Sequence, residues 1–244
     1  MNIKQFSELV HTKEQEVLSE NKVVERLKAA CATLEGLQIF AMEFYPIRYS
    51  FVQLAFTVGA RAPMHENYWY GLAKNLFEES GENDKLSHNE LYRVFLDSIG
   101  LEANMQVPET KLSRSFNSTW FDFVKNAPIE DAIAAIGAYE IIDSPDYSAL
   151  YSALRDSPES VDLTFFRVHS VAEHFSMFDS FFKSYIEQSG RSIDDFIPVA
   201  EFVLSHQEAM WIDLLATIEA QLENKNGLST MQPKSKNHQL LQVG

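Results

Sequence analysis

The chain has a single cysteine, Cys31, among 244 residues. No intramolecular disulfide framework can therefore hold the fold, and a lone thiol fits a reducing cytoplasm. Basic residues are scarce: 20 Lys and Arg stand against 35 Asp and Glu, giving a net charge of −15. That balance argues against nucleic acid or an anionic membrane as the main partner. No apolar run approaches bilayer-spanning length; the longest candidate, 37–60, is interrupted by Glu43, Pro46, Arg48 and Gln53. The first thirty residues are charged throughout and offer no apolar core for a signal peptide. Period-two alternation is nearly absent, which speaks against a β-sheet. There is no internal repeat, no Gly-rich phosphate loop and no Ser/His/Asp arrangement.

What is present is apolar and helical. Apolar residues make up 45% of the chain and Phe alone occurs 18 times, enough for one sizeable core. The pattern predicts an all-α single domain over 1–226, of seven to nine helices, followed by a mobile polar tail over 227–244. Phe6, Leu9, Val10 and Val17 share one side of a first helix over 3–19. A second is expected over 22–33. A third, over 34–60, should kink or break at Pro46. A helix over 64–79 ends before a Gly81 turn. Ser87 and Glu90 form a capping box that opens the next helix, closed by Gly100. Helices are expected over 110–126 and 128–142, with an interruption at Ser144-Pro145 and a resumption over 147–155. A long helix should start at Ser157-Pro158 and run through His169 to Gly190, and a last one over 193–223 should bend near Pro198.

The segment 165–176 stands out. His169 and Glu173 are four residues apart, so both leave one helix face. One turn is a common spacing for two ligands of one metal ion. The plain alternative is a surface His–Glu pair, but Phe165, Phe166, Phe175, Met177 and Phe178 surround the two, and a buried carboxylate needs a metal, an Arg or several hydrogen bonds. Other candidate ligands follow the same logic. Glu79 ends one helix and His88 opens the next, with a Gly-containing turn between them to fold them together. Glu140 interrupts the mostly apolar helix around Ala138. Alone, each has a plain explanation: a solvated helix end, a cap, a polar stripe with Asp143. The set carries the weight.

In order, the chain reads Asn75-Leu76-Phe77-Glu78-Glu79-Ser80-Gly81, then His88 with Leu91, Phe95, Leu96 and Gly100, then Tyr139-Glu140 ahead of Pro145, then Phe165-Phe166, His169 and the acid Glu173. This order resembles the haem-oxygenase-like dimetal oxidases, a group that shares its helical fold with the TenA thiaminases and the pyrroloquinoline-quinone (PQQ) synthase. Within that group it is most similar to the CADD-like proteins. The resemblance implies a haem-oxygenase-like helical bundle without haem, holding one or two iron or manganese ions that activate dioxygen. It implies Glu79, His88, Glu140, His169 and Glu173 as ligands and Tyr139 and Tyr45 as pocket tyrosines. It departs at the last motif, His-x-x-x-Asp-x-x-His: Glu173 stands for the Asp and Ser176 for the final His. His174 is nearby, but five residues after His169 it lies about 140° round a regular helix and joins the site only through a π-bulge. The second metal therefore lacks a ligand, and the expected content is nearer one ion per chain than two.

Three function classes follow. The first is a metal-dependent oxidase or oxygenase that uses dioxygen on a small, partly apolar metabolite, with Phe165, Phe166, Phe175, Tyr139 and Trp120 as candidate pocket walls or plain core. The second is a cofactor-independent, PQQ-synthase-like oxidase or cyclase, for which Arg48, Arg93 and Arg167 are the candidate basic groups. A TenA-type thiaminase is excluded, because its nucleophilic Cys lies mid-chain and Cys31 is too early. The third is a non-catalytic, CADD-like interaction protein, which these residues do not support. No nucleic acid or membrane partner is expected, and a homodimer is left open.

Overall fold

The computed structural model describes all residues except 63–65, 82–84, 103–108, 158–159, 172–178 and 231–244, and only the backbone of 66–68 and 226–230. The described residues are helical and contain no strand. In order they form α1 (Ile3–Glu20), α2 (Val23–Ala30), α3 (Leu34–Tyr49), α4 (Phe51–Arg61), α5 (Glu66–Glu79), α6 (His88–Ser98), α7 (Lys111–Asn126), α8 (Ile129–Leu154), α9 (Thr164–Val171), α10 (Asp179–Ser189), a 3-10 turn (Ile193–Phe196) and α11 (Ile197–Thr230). No described helix is long and apolar enough to cross a membrane.

Local chemistry explains where the helices begin. Capping boxes open α1 (Asn2 with Gln5), α6 (Ser87 with Glu90), α7 (Thr110 with Ser113) and the 3-10 turn (Ser192 with Asp195), each satisfying otherwise orphaned N–H groups. Burial explains which helix is central. Every residue from Ala132 to Ala138 in α8 is buried, so this helix is apolar all round and sits inside the bundle. It packs against α1, α2, α9 and α11. The start of α3 passes so close to the end of α2 that a Cβ on Gly36 would lie 1.8 Å from the Ala30 carbonyl oxygen. Backbone cannot give way as a flexible side chain can. Gly36→Ala is therefore expected to lower stability by roughly 1–3 kcal/mol, read from chemical denaturation.

The breaks differ from the sequence expectation, and prolines account for most of the difference. Pro46 lies inside α3, and the break comes at Ser50. There the Ser50 N–H turns to the Arg48 carbonyl, and the Pro46 carbonyl takes the Ser50 hydroxyl (3.3 Å) and the Asn117 amide (3.1 Å). Pro145 does not interrupt α8. The burial of Pro145 and of most of this helix outweighs the roughly 3 kcal/mol that an internal proline costs. The helix bearing His169 begins at Thr164, well after Ser157-Pro158, because the Asp162 carboxylate accepts the Thr164 N–H (2.9 Å) and caps it there. Pro198 opens α11 and does not bend it, and the α11 backbone runs past the expected boundary at Gly227 to Thr230. Among the described residues there are more helical stretches than seven to nine.

A buried acid pair ties α1 to the centre. Glu14 of α1 is fully buried and close to Asp146 of α8, which accepts N–H bonds from Gln207 and from Trp211 (3.3 Å), both on α11. Two carboxylates cannot both stay charged in such a place, so the pair holds a proton. Burial pushes the Glu14 carboxyl up to about 7, with the charge of Glu208 adding to it. Burial also pushes Asp146 up, helped by Glu14 and Asp143. A raised acid binds more protons folded than unfolded, so its contribution is fully present below the usual 4.5 and is lost as pH rises through about 7. The denaturation midpoint is thus expected to fall between about pH 5 and pH 8. Glu14→Gln, which can donate to Asp146 without titrating, should flatten that fall. An equally steep fall in the variant would assign it elsewhere.

Candidate metal centre

Four helices bring their ends or middles to one buried point. Glu79 is the last residue of α5 and His88 the first of α6. The chain reverses between them at Gly81, where φ is +89° and a Cβ would lie 2.4 Å from the Lys85 carbonyl oxygen. Only glycine suits that position. The Ser87 cap then starts α6 with His88 pointing inward. His169 comes from α9 and Arg48 from α3.

Ligand atoms of Glu79, His88 and His169 all lie within 4.8 Å of one another. The His169 ring is 1% exposed. Its Nδ1 lies 2.8 Å from the Phe165 carbonyl oxygen and its Nε2 lies 3.2 Å from Arg48 Nη2. A carbonyl only accepts and a guanidinium only donates, so Nδ1 carries the proton and Nε2 presents its lone pair to the centre. That is the tautomer in which a histidine binds a metal. Burial first, then the charges of Arg48 and His88, holds this imidazole well below the usual histidine range, so it is neutral. The ring stacks on Tyr147 at 4.5 Å and meets the His88 ring edge-on at 4.3 Å.

Glu79 Oε1 accepts from Arg48 Nη2 at 2.8 Å and lies 3.1 Å from His88 Nδ1. Beyond Glu79, this buried His88 nitrogen has no partner among the described residues. Burial alone would raise the Glu79 carboxyl. The Arg48 charge and His88 outweigh it and hold the group well below the usual carboxylate range. Burial likewise opposes charge on Arg48, but Glu79, then Tyr147 and Asp143, keep it firmly protonated. Two imidazoles and a carboxylate around one point, one imidazole oriented by a backbone carbonyl and the other beside the carboxylate, fit a single divalent ion with open positions, a set suited to non-haem iron.

The expected ligands divide into three groups. Glu79, His88 and His169 come together. Glu140 is buried, but its Oε1 accepts from Asn75 Nδ2 at 3.1 Å, and it borders a cleft of about 1240 Å³ also lined by α1 and α10, outside the three-residue group. Glu173, His174, Phe175 and Ser176 lie outside the described residues. Of the tyrosines, Tyr139 packs on Phe51 and Trp120 and lies in the field of Asp143 and Arg48, whereas Tyr45 stacks on Tyr92 at 4.6 Å. Phe165 and Phe166 are fully buried ring-to-ring with Tyr92 and Tyr147, and Trp120 packs against Phe202 and His206. Arg93 and Arg167 are exposed, so Arg48 is the one of the three arginines that reaches the centre.

Two groups at the centre escaped the sequence reading. In the sequence Arg48 reads only as a basic group for an anionic substrate, although an Arg within the apolar run of α3 is itself a sign of a buried carboxylate partner. Tyr147 follows Asp143 by four residues on α8, so the two share a face. Its hydroxyl is buried with no hydrogen-bond partner among the described residues, and burial pushes it well above the usual tyrosine range.

Comparison with known proteins bears on the fold and the family. No curated protein matches the chain. Among solved structures, a CADD-like protein of unknown function from Nostoc punctiforme is 14% identical and superposes with a TM-score of 0.64, over 95% of this chain and all of the other. At that identity the likeness establishes the fold. A family profile described as iron-containing redox enzyme matches residues 38–175, the stretch that carries Arg48, Glu79, His88, Glu140 and His169. The chain belongs to this family of iron-containing redox enzymes.

Proposed function

We propose that the protein is a metal-dependent oxidase or oxygenase that uses iron, or manganese, to activate dioxygen on a small, partly apolar metabolite. The observation that carries this reading is the buried Glu79–His88–His169 group with its ligand atoms within 4.8 Å. A ferrous or manganous ion there would supply open coordination positions and a one-electron step for dioxygen reduction, the remaining electrons coming from the substrate or an added reductant. The chain's own part is to orient and to exclude water. Phe165 fixes the His169 tautomer through its carbonyl and closes one side of the ring with its own side chain. Tyr147 covers His169 and keeps its phenolic proton, a hydroxyl donor ready for a partner. Three described donors, with Ser176 where the resembling group has a histidine, support nearer one ion per chain than two.

A second reading rests on Arg48. A cofactor-independent, PQQ-synthase-like oxidase would use a buried guanidinium to hold an anionic substrate, and Arg48 Nε is buried without a partner. Dioxygen uptake separates the two. Protein reconstituted anaerobically with ferrous iron should consume dioxygen when a reductant is added, and His169→Ala should lose at least about 100-fold of that rate, as removal of a metal-orienting group does. Equal uptake by chelator-stripped protein would favour the cofactor-independent reading.

A further inference from the structure

Arg48 Nη2 occupies the place from which an ion would reach His169. A neutral imidazole has one lone pair, on Nε2 here, and Arg48 already uses it at 3.2 Å. The same nitrogen donates to Glu79 Oε1 at 2.8 Å. We infer that Arg48 and the metal ion are alternative partners of His169: the guanidinium holds the donors together before loading and must release His169 for the ion to bind. This rests on the metal-centre reading and deepens it.

The charge count supports exchange. Glu79 carries one negative charge, Arg48 one positive, and His169 is neutral, so these side chains are balanced before any ion arrives. A divalent ion would add two positive charges beside a buried guanidinium, and like charges repel strongly where water is excluded. Release does not require Arg48 to leave its carboxylate. Glu79 has a second oxygen, and Asp143 also lies in the field of the guanidinium. Arg48 is thus a positioning residue that sets how tightly the site holds metal.

Anaerobic calorimetric titration with ferrous iron, and separately with manganous ion, tests this on the wild type, Arg48→Met and Arg48→Lys. Arg48→Met is expected to bind at least about tenfold more tightly, a difference of about 1.4 kcal/mol. Its melting temperature should also rise further on metal addition than that of the wild type. Arg48→Lys, which keeps the charge but loses the planar fork, should fall between the two. If Arg48→Met does not fold even with metal, the lysine variant decides: tighter binding than wild type supports exchange, and equal or weaker binding overturns it. A wild type that binds metal alongside a methionine variant that binds no tighter would overturn the exchange and leave the metal centre standing. Failure of wild type and variants alike to bind either ion would overturn the metal centre itself.

Discussion

Glu79→Ala is expected to lower the stability of the metal-free protein by about 3–5 kcal/mol, because it strips a buried arginine of its carboxylate partner. Arg48 is 6% exposed and the Glu79 side chain 8%, so water cannot take over the lost contact. The same substitution removes the only carboxylate of the three-residue group and should abolish metal uptake. A surface pair would behave otherwise: breaking it would cost about 1 kcal/mol or less. Urea denaturation of the stripped protein separates the cases. A change under about 1 kcal/mol would mean that Arg48 finds another partner at no cost, and the centre would be looser than the geometry shows.

Trp211→Ala is expected to have a comparable effect, about 3–5 kcal/mol, through a different cause. The indole is fully buried and lies parallel to Phe44 at 6.4 Å, so truncation opens a cavity between α11 and α3. It also removes the N–H that Asp146 accepts. Trp211→Phe separates the two contributions. It keeps most of the packing and loses the donor, and should cost about 1–3 kcal/mol, the penalty of an acceptor left short of a partner. Because Asp146 shares its proton with Glu14, the phenylalanine variant should also lose more stability as pH rises, with the loss extending to higher pH than in the wild type. With a donor gone, charge on Asp146 is less favoured, the folded pair holds its proton more firmly, and the loss of protonation costs more as pH rises.

The fold was legible because its signals are local. The Ser87 cap and the apolar spacing mark helices in the sequence itself, and the structure adds caps at Asn2 and Thr110. Proline was the unreliable sign. Pro46 and Pro145 both lie inside helices that their sequence neighbourhood suggested should break. What carries the helix past them is tertiary: Asn117 from α7 serves the Pro46 carbonyl, and Pro145, Asp146 and Tyr147 are buried against neighbouring helices. Neither partner is adjacent in sequence.

The candidate site was legible to the extent that ionisable residues in apolar helices are anomalous. Glu79, His88 and His169 stood out for that reason and share one point in space. Arg48 satisfied the same criterion, but its partner lies 31 residues away, and spacing along one helix does not reveal a pairing between two. Glu14 and Asp146 were missed for a related reason. Glu14 falls on the buried stripe of α1 with Phe6, Val10 and Leu18, and a Glu in a helix rich in Lys and Glu attracts no notice until the opposite wall is known.

The most direct test is an iron count. Wild type, His88→Ala and His169→Ala would be reconstituted anaerobically with ferrous iron, desalted, and measured for iron per chain together with X-ray absorption at the iron edge. The account predicts nearer one iron than two per wild-type chain, bound by imidazole and carboxylate, and near-complete loss in both variants with the helical signal unchanged. Iron retained in both variants, or none in the wild type, would contradict it.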